Sequence, residues 1–222
     1  MAENTVALPA LSDVDRAHVV HPFTSIAEHQ NAGPSFIDRA EGVHVYDQSG
    51  REYLDAMAGL WCVNVGYSHP RMVEAIRAQT EKLCYYHSFM GSANEPAARL
   101  ADEIAQRTPD GLNKVFFCNS GSEANDTLVK LIWLYNNLRG KPEKKKIVSR
   151  ISAFHGTTTV AASICGLPHM HAHFDLPLDR FIHVGRPHHF YDAKEGESER
   201  AFSERIAAEL DARIAAEDPA TV

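Results

Sequence analysis

The sequence predicts an α/β fold, a parallel-rich sheet covered by helices and incomplete as given. Three observations carry this. Lys114 to Cys118 (KVFFC) is a short continuous apolar run of the kind found in strands buried on both faces. That run is the first strand in an order of helix, strand, helix and strand that begins with a helix at Glu95 and has its second strand expected at Lys145 to Ile151. The chain ends at Ala220-Thr221-Val222, where such a pattern would be entering its next strand.

Along the chain, Gly42 to Leu54 (GVHVYDQSGREYL) alternates apolar and polar residues on both sides of Gln48-Ser49-Gly50, which predicts a β-hairpin after a polar leader. Pro70 to Leu83 places Met72, Val73, Ile76 and Leu83 at helical spacings, with proline suited to the first turn. A helix from Glu95 to Arg107 turns Ala98, Leu100, Ala101, Ile104 and Ala105 mostly inward, and Thr108-Pro109-Asp110-Gly111 ends it. A third helix, Glu123 to Leu138, follows the KVFFC run almost at once. Leu167 to Arg186 is rich in histidine and proline and reads as irregular. In the last helix, Ser198 to Glu217, Phe202, Ile206, Leu210 and Ile214 recur every four residues until Asp218-Pro219 breaks it.

Composition narrows the function. A chain of 222 residues, 44% apolar and 23% charged, is ordinary for a soluble globular protein. Its formal charge of −7 argues against a surface built to neutralise nucleic-acid phosphates or to dock on an anionic membrane. No secretory signal is expected in Met1 to Ala17, and no apolar stretch is long enough to span a bilayer. Cys62, Cys84, Cys118 and Cys165 lie far apart with no C-x-x-C pair, so a reducing, cytoplasmic setting is expected. His169, His171, His173, His183, His188 and His189 lack the spacing of a metal site and read as loop or interface histidines.

The sharpest local feature is Asn119-Ser120-Gly121-Ser122-Glu123-Ala124-Asn125-Asp126, directly after the KVFFC run and at the start of a helix. Ser120 and Glu123 have the spacing of a capping box. Gly121 lets a ligand approach the backbone, Ser120 and Ser122 add hydroxyl donors, and the helix dipole favours an anion. The plain alternative is that Ser120 only caps the helix. Neither G-x-x-x-x-G-K-S/T nor G-x-G-x-x-G is present, which argues against a nucleotide P-loop.

The run NSGSEANDTLVK, Asn119 to Lys130, resembles the phosphate-cup segment of class III aminotransferases, fold type I enzymes that use pyridoxal phosphate and include the ω-transaminases. His21-Pro22-Phe23-Thr24, the segment Gly42 to Pro70, Ala153-Phe154-His155-Gly156, Gly166-Leu167-Pro168 and Phe174-Asp175-Leu176-Pro177 continue the likeness. The resemblance implies that residues 1–60 belong to the small domain and 61–222 to the first part of the large cofactor-binding domain. It implies that Ser120, Gly121 and Ser122 hold the cofactor phosphate, that Phe154 stacks on its ring where relatives often carry tyrosine, and that His155 lies beside it. It also implies that Phe23, Trp61 and Phe89 line the substrate pocket, although each of these aromatics has plain core packing as its alternative.

By the same resemblance, the catalytic lysine, the aspartate that pairs with the pyridine nitrogen and a late substrate-binding arginine lie beyond Val222, so no catalytic residue is expected in this chain. The implied activity of the full-length protein is transfer of an amino group from an amine or amino acid to an oxo acid such as pyruvate, in a homodimer. The alternatives are an aminomutase or decarboxylase of the same class, a non-catalytic cofactor-binding or dimer-interfering product, and a binder of some other phosphorylated metabolite.

Overall fold

In the computed structural model, which describes residues 10–222, burial is concentrated in the second of two units, one running to Ala98 and the other from Arg99 to Val222. In the first unit, two short helices come before any strand: α1 (Leu11–His18) and α2 (Ile26–Ala32). The Ser25 hydroxyl caps α2 by accepting from the Glu28 N–H. The sequence shows these only as a polar leader, because neither helix is long enough for its periodicity to stand out.

The expected hairpin is present as β2 (His44–Asp47) and β3 (Glu52–Leu54), paired antiparallel with Val45 opposite Tyr53. Its turn is held by one carboxylate. Asp47 Oδ1 accepts from the Ser49 and Arg51 N–H groups and the Ser49 hydroxyl, while Oδ2 accepts from the Tyr53 hydroxyl. These donors, Ser49 first, hold the Asp47 carboxyl at about 2. A further strand, β1 (Ile37–Glu41), adds to β2 and completes a three-stranded sheet in the order β1-β2-β3.

The helix α3 (Pro70–Lys82) begins with proline in its first turn, as its sequence predicts. Its apolar face is not covered, however: Met72, Val73 and Ile76 are all exposed. The helix α4 (Glu95–Ala105) carries the chain across the boundary between the units.

The second unit begins with a departure from expectation. Lys114 to Cys118 forms no strand, and Phe116 is 69% exposed. An extended apolar run becomes a strand only when its N–H and C=O groups meet a neighbour, and among the described residues none runs beside it. The strands that do pair are β4 (Ile147–Arg150) and β5 (Phe181–Val184), parallel, with Ile147 opposite Phe181 and Arg150 opposite Val184. Thus β5 lies inside the stretch read as irregular, where the run FIHV is too short for its pattern to be separated from the histidines around it.

Between these strands the chain passes through α6 (Thr159–Ile164), and before them lies α5 (Gly121–Leu138). Val129 of α5, Ile164 of α6 and Phe181 of β5 meet in one buried cluster, with Trp133, Ile147 and Val160 packed on it. Ala162, Cys165 and Met170 form a second. The last helix, α7 (Glu199–Ala216), is capped by Ser198 and buries Phe202 and Ile206, two of the residues its four-residue repeat picks out. Parallel strands joined through a helix, with helices packed on them, are the α/β arrangement the sequence predicts.

Candidate cofactor site

The first turn of α5 carries the predicted cup. Ser120, in extended backbone, is the N-cap, and its hydroxyl oxygen accepts from the Glu123 N–H at 3.1 Å. The capping box closes one residue earlier than its spacing suggests. Glu123 Oε2 accepts from the N–H of Asn119 at 2.9 Å and from its amide at 3.2 Å, rather than from Ser120. The first N–H groups of a helix have no intrahelical partner, so those of Gly121 and Ser122 point outward for a ligand. A side chain added at Gly121 would meet nothing within 4 Å, so space for a ligand lies open against the backbone.

A second segment is locked onto this turn. Asn125 donates its amide to the His155 carbonyl at 2.6 Å, and the Thr157 N–H donates to Ser122 Oγ at 3.0 Å. Asp126 Oδ1 accepts from the Thr158 hydroxyl at 2.7 Å and the Ala161 N–H at 3.0 Å. Between these bonds sits Gly156, with φ +135°, where a Cβ would stand 2.5 Å from Ser122 Oγ and 2.9 Å from Ser122 Cα. Cys165, fully buried, accepts from the His155 N–H at 3.1 Å. The structure thereby brings the segment bearing Phe154 and His155 against the helix start bearing Ser120, Gly121 and Ser122. Phe154 is 54% exposed, so an aromatic face is available for a planar ligand.

The donor set suits a dianionic phosphate. Ser122 Oγ already accepts from Thr157 N–H and Ser120 Oγ from Glu123 N–H, so each hydroxyl keeps its own hydrogen to donate. Two hydroxyls, outward N–H groups and the positive end of an 18-residue helix converge on one place. Asn125 and Asp126, which hold the two segments together, have no role visible in the sequence beyond membership of the octet. Their partners lie 30 to 35 residues away and carry no local signal.

The three aromatics expected at a substrate pocket lie in the first unit, exposed at 72% for Phe23, 77% for Trp61 and 76% for Phe89. None is core. Each is on or beside backbone in the left-handed region: Phe23 at φ 53°, Trp61 at φ 66°, and Met90, next to Phe89, at φ 54°. An L-residue there costs roughly 1–2 kcal/mol. Such strain concentrates where a side chain's direction matters.

Histidine clustering is found away from the histidine-rich stretch. Asp15 Oδ1 accepts from His21 Nε2 at 3.0 Å and from His29 Nε2 at 2.8 Å, and these bonds, His21 first, lower the Asp15 carboxyl from its usual range. Such a group has metal-ligating atoms, but the paired hydrogen bonds account for its geometry. In the later stretch, His171, His183 and His189 each meet a backbone carbonyl, of Ala162, Ile164 and Glu197 respectively.

A family model described as aminotransferase class-III matches residues 25–220. The chain is 47% identical over 202 residues to a probable gamma-aminobutyrate transaminase 2, mitochondrial, of Oryza sativa, covering 90% of this chain and 41% of that one. The crystal structure of an omega transaminase from Pseudomonas jessenii in complex with PMP superposes with a TM-score of 0.93 at 46% identity, over 96% of this chain and 47% of that one. A thermostable omega transaminase variant with glycine in place of a tryptophan, engineered for asymmetric synthesis of enantiopure bulky amines, gives the same TM-score, 0.93, at 46% identity, with 96% and 47% covered. The chain spans less than half the length of the curated relatives it matches.

Proposed function

Because the chain belongs to the class III aminotransferases, we propose that it supplies the phosphate-binding part of a pyridoxal phosphate enzyme that moves an amino group from an amine or amino acid to an oxo acid such as pyruvate. The observation that carries this reading is the lock between the start of α5 and the Phe154 to Thr157 segment, centred on Gly156 against Ser122. Pyridoxal phosphate supplies an electron sink that weakens the bonds at the amino-bearing carbon.

In this reading, Ser120 and Ser122 donate their hydroxyl hydrogens to the phosphate, and Gly121 leaves its backbone N–H within reach. Phe154 covers a face of the ring and His155 flanks it. By fixing the phosphate and the ring plane, these residues set the orientation in which proton transfer by groups elsewhere in the full-length protein becomes productive. Residues 61–222 then fall in the large domain and 1–60 in the small one. Phe23, Trp61 and Phe89 form an aromatic wall that favours apolar or extended donors. The relative altered at a tryptophan for bulky amines supports a size-setting role for such a residue.

Exposed apolar residues such as Val20, at 81%, leave surface to be covered by a second copy in a homodimer or by the rest of a longer chain. A reducing cytoplasm fits four cysteines that are all free. The test is to express the full-length protein and record its visible absorbance with pyridoxal phosphate, then follow alanine formation from pyruvate and an amine. Cofactor absorbance that changes on adding the amine, with alanine formed, is the expected result. A well-folded protein with neither would end the aminotransferase reading.

A further inference from the structure

Trp61 stands on an unusual piece of backbone. Ala58, Gly59, Leu60 and Trp61 have φ of 48°, 58°, 62° and 66°, a full turn of left-handed helix in which three of four residues have side chains. Such a turn does not persist by its own preferences. The hydrogen bonds around it show what holds it. Asp55 Oδ1 accepts from the Met57 N–H at 3.0 Å, and Oδ2 accepts from the Gly59 N–H at 2.7 Å and from the Tyr67 hydroxyl at 2.6 Å. Tyr67 closes the far side: a Cβ at Gly59 would stand 2.9 Å from its hydroxyl.

Both holding residues are themselves fixed to the turn that joins β1 to β2. The Asp55 N–H donates to the Val43 carbonyl at 2.9 Å, and Tyr67 exchanges two backbone bonds with Gly42, of 2.7 and 3.1 Å. A continuous path of bonds therefore runs from there through Asp55 and Tyr67 to the left-handed turn. Trp61 is at its end, 77% exposed among the described residues, which leave its direction to its backbone.

We propose that Asp55 and Tyr67 are positioning residues that aim Trp61, and that through it they set which amine donors the enzyme accepts by size. This deepens the aminotransferase reading and rests on it. In this role Asp55 and Tyr67 act on the turn, to which their side-chain bonds run, and not on the substrate itself. Loosening either widens the range of Trp61 directions, so the discrimination between a bulky and a compact donor weakens while the chemistry common to both is retained.

The test uses the full-length enzyme as Y67F, D55N, W61A and the W61A/D55N double variant beside the unaltered form. kcat/KM is measured for a small aliphatic amine and for an aryl-substituted amine with pyruvate as acceptor. Y67F and D55N should move the ratio between donors in the direction W61A moves it, D55N by about tenfold, as loss of a hydrogen bond to a charged group implies. The double variant should match W61A alone. Equal loss for both donors, or a D55N shift that adds in full to that of W61A, would overturn the proposal. Should D55N fail to fold, Y67F, which removes one bond, decides the matter alone.

A second readout does not need turnover. With 5-fluorotryptophan incorporated, the 19F resonance of Trp61, assigned by its loss in W61A, should shift or broaden in Y67F. An unchanged resonance overturns the positioning role. An enzyme that turns over no amine ends the functional reading instead, and the resonance still reports on the turn.

Discussion

At Gly156, one hydrogen atom takes the place where any side chain would collide with Ser122. A Cβ there would meet Ser122 Oγ, Ser122 Cα and the Ala161 Cβ, all within 2.9 Å, on a φ of +135°. G156A should therefore separate the Phe154 segment from the start of α5 and reduce cofactor affinity more than S122A, which removes one hydroxyl and the bond it accepts from the Thr157 N–H but leaves room for the two backbones to meet. In equilibrium dialysis of pyridoxal phosphate against the full-length protein, we expect S122A to weaken binding by at least about tenfold, the loss of one charge-assisted bond together with the Thr157 bond, and G156A to weaken it further. Equal effects of the two would show that the close approach is immaterial. Ser120, Gly121 and Ser122 are legible in sequence because small polar residues crowd one helix start. The bond from Asn125 to the His155 carbonyl is not legible, since its partners are 30 residues apart.

At the scale of elements, the ends of α7 show how a side-chain network fixes a helix. Glu197, just before its cap, accepts from Arg205 Nε at 2.8 Å and Nη2 at 2.9 Å, and from the Lys194 N–H at 2.9 Å. Arg205 foremost, these donors hold the Glu197 carboxyl at about 2, below its ordinary 4.5. A carboxyl depressed by folding contributes stability that is fully present above the unfolded value and lost as pH falls through the folded one. The melting temperature of the chain should thus exceed that of E197A by a constant margin above about pH 4.5, and the margin should close toward pH 2. A margin that stays constant with pH would remove the ionic origin. Long periodic elements such as α5 and α7 are legible because their signal is local. KVFFC reads as a strand and finds no partner among the described residues, while FIHV reads as irregular and pairs as a strand. Strand formation is decided by a partner distant in sequence, which composition does not reveal.

For the whole molecule, burial is uneven. No described residue up to Ala98 is buried, whereas the second unit contains both hydrophobic clusters. Local opening free energy follows buried contacts, so the first unit should open more readily. Limited proteolysis of the chain should cut first before Ala98 and leave a protected fragment beginning near Arg99, identified by mass spectrometry. Cuts spread evenly over both units would contradict this. The turn at Ala58 to Trp61 has one more consequence, a matter of chirality. Its backbone runs in the hand that suits mirror-image amino acids. At position 58 or 60, a D-residue would be at ease where the natural L-residue is strained, an inversion of the stereochemical preference that governs the helices on either side.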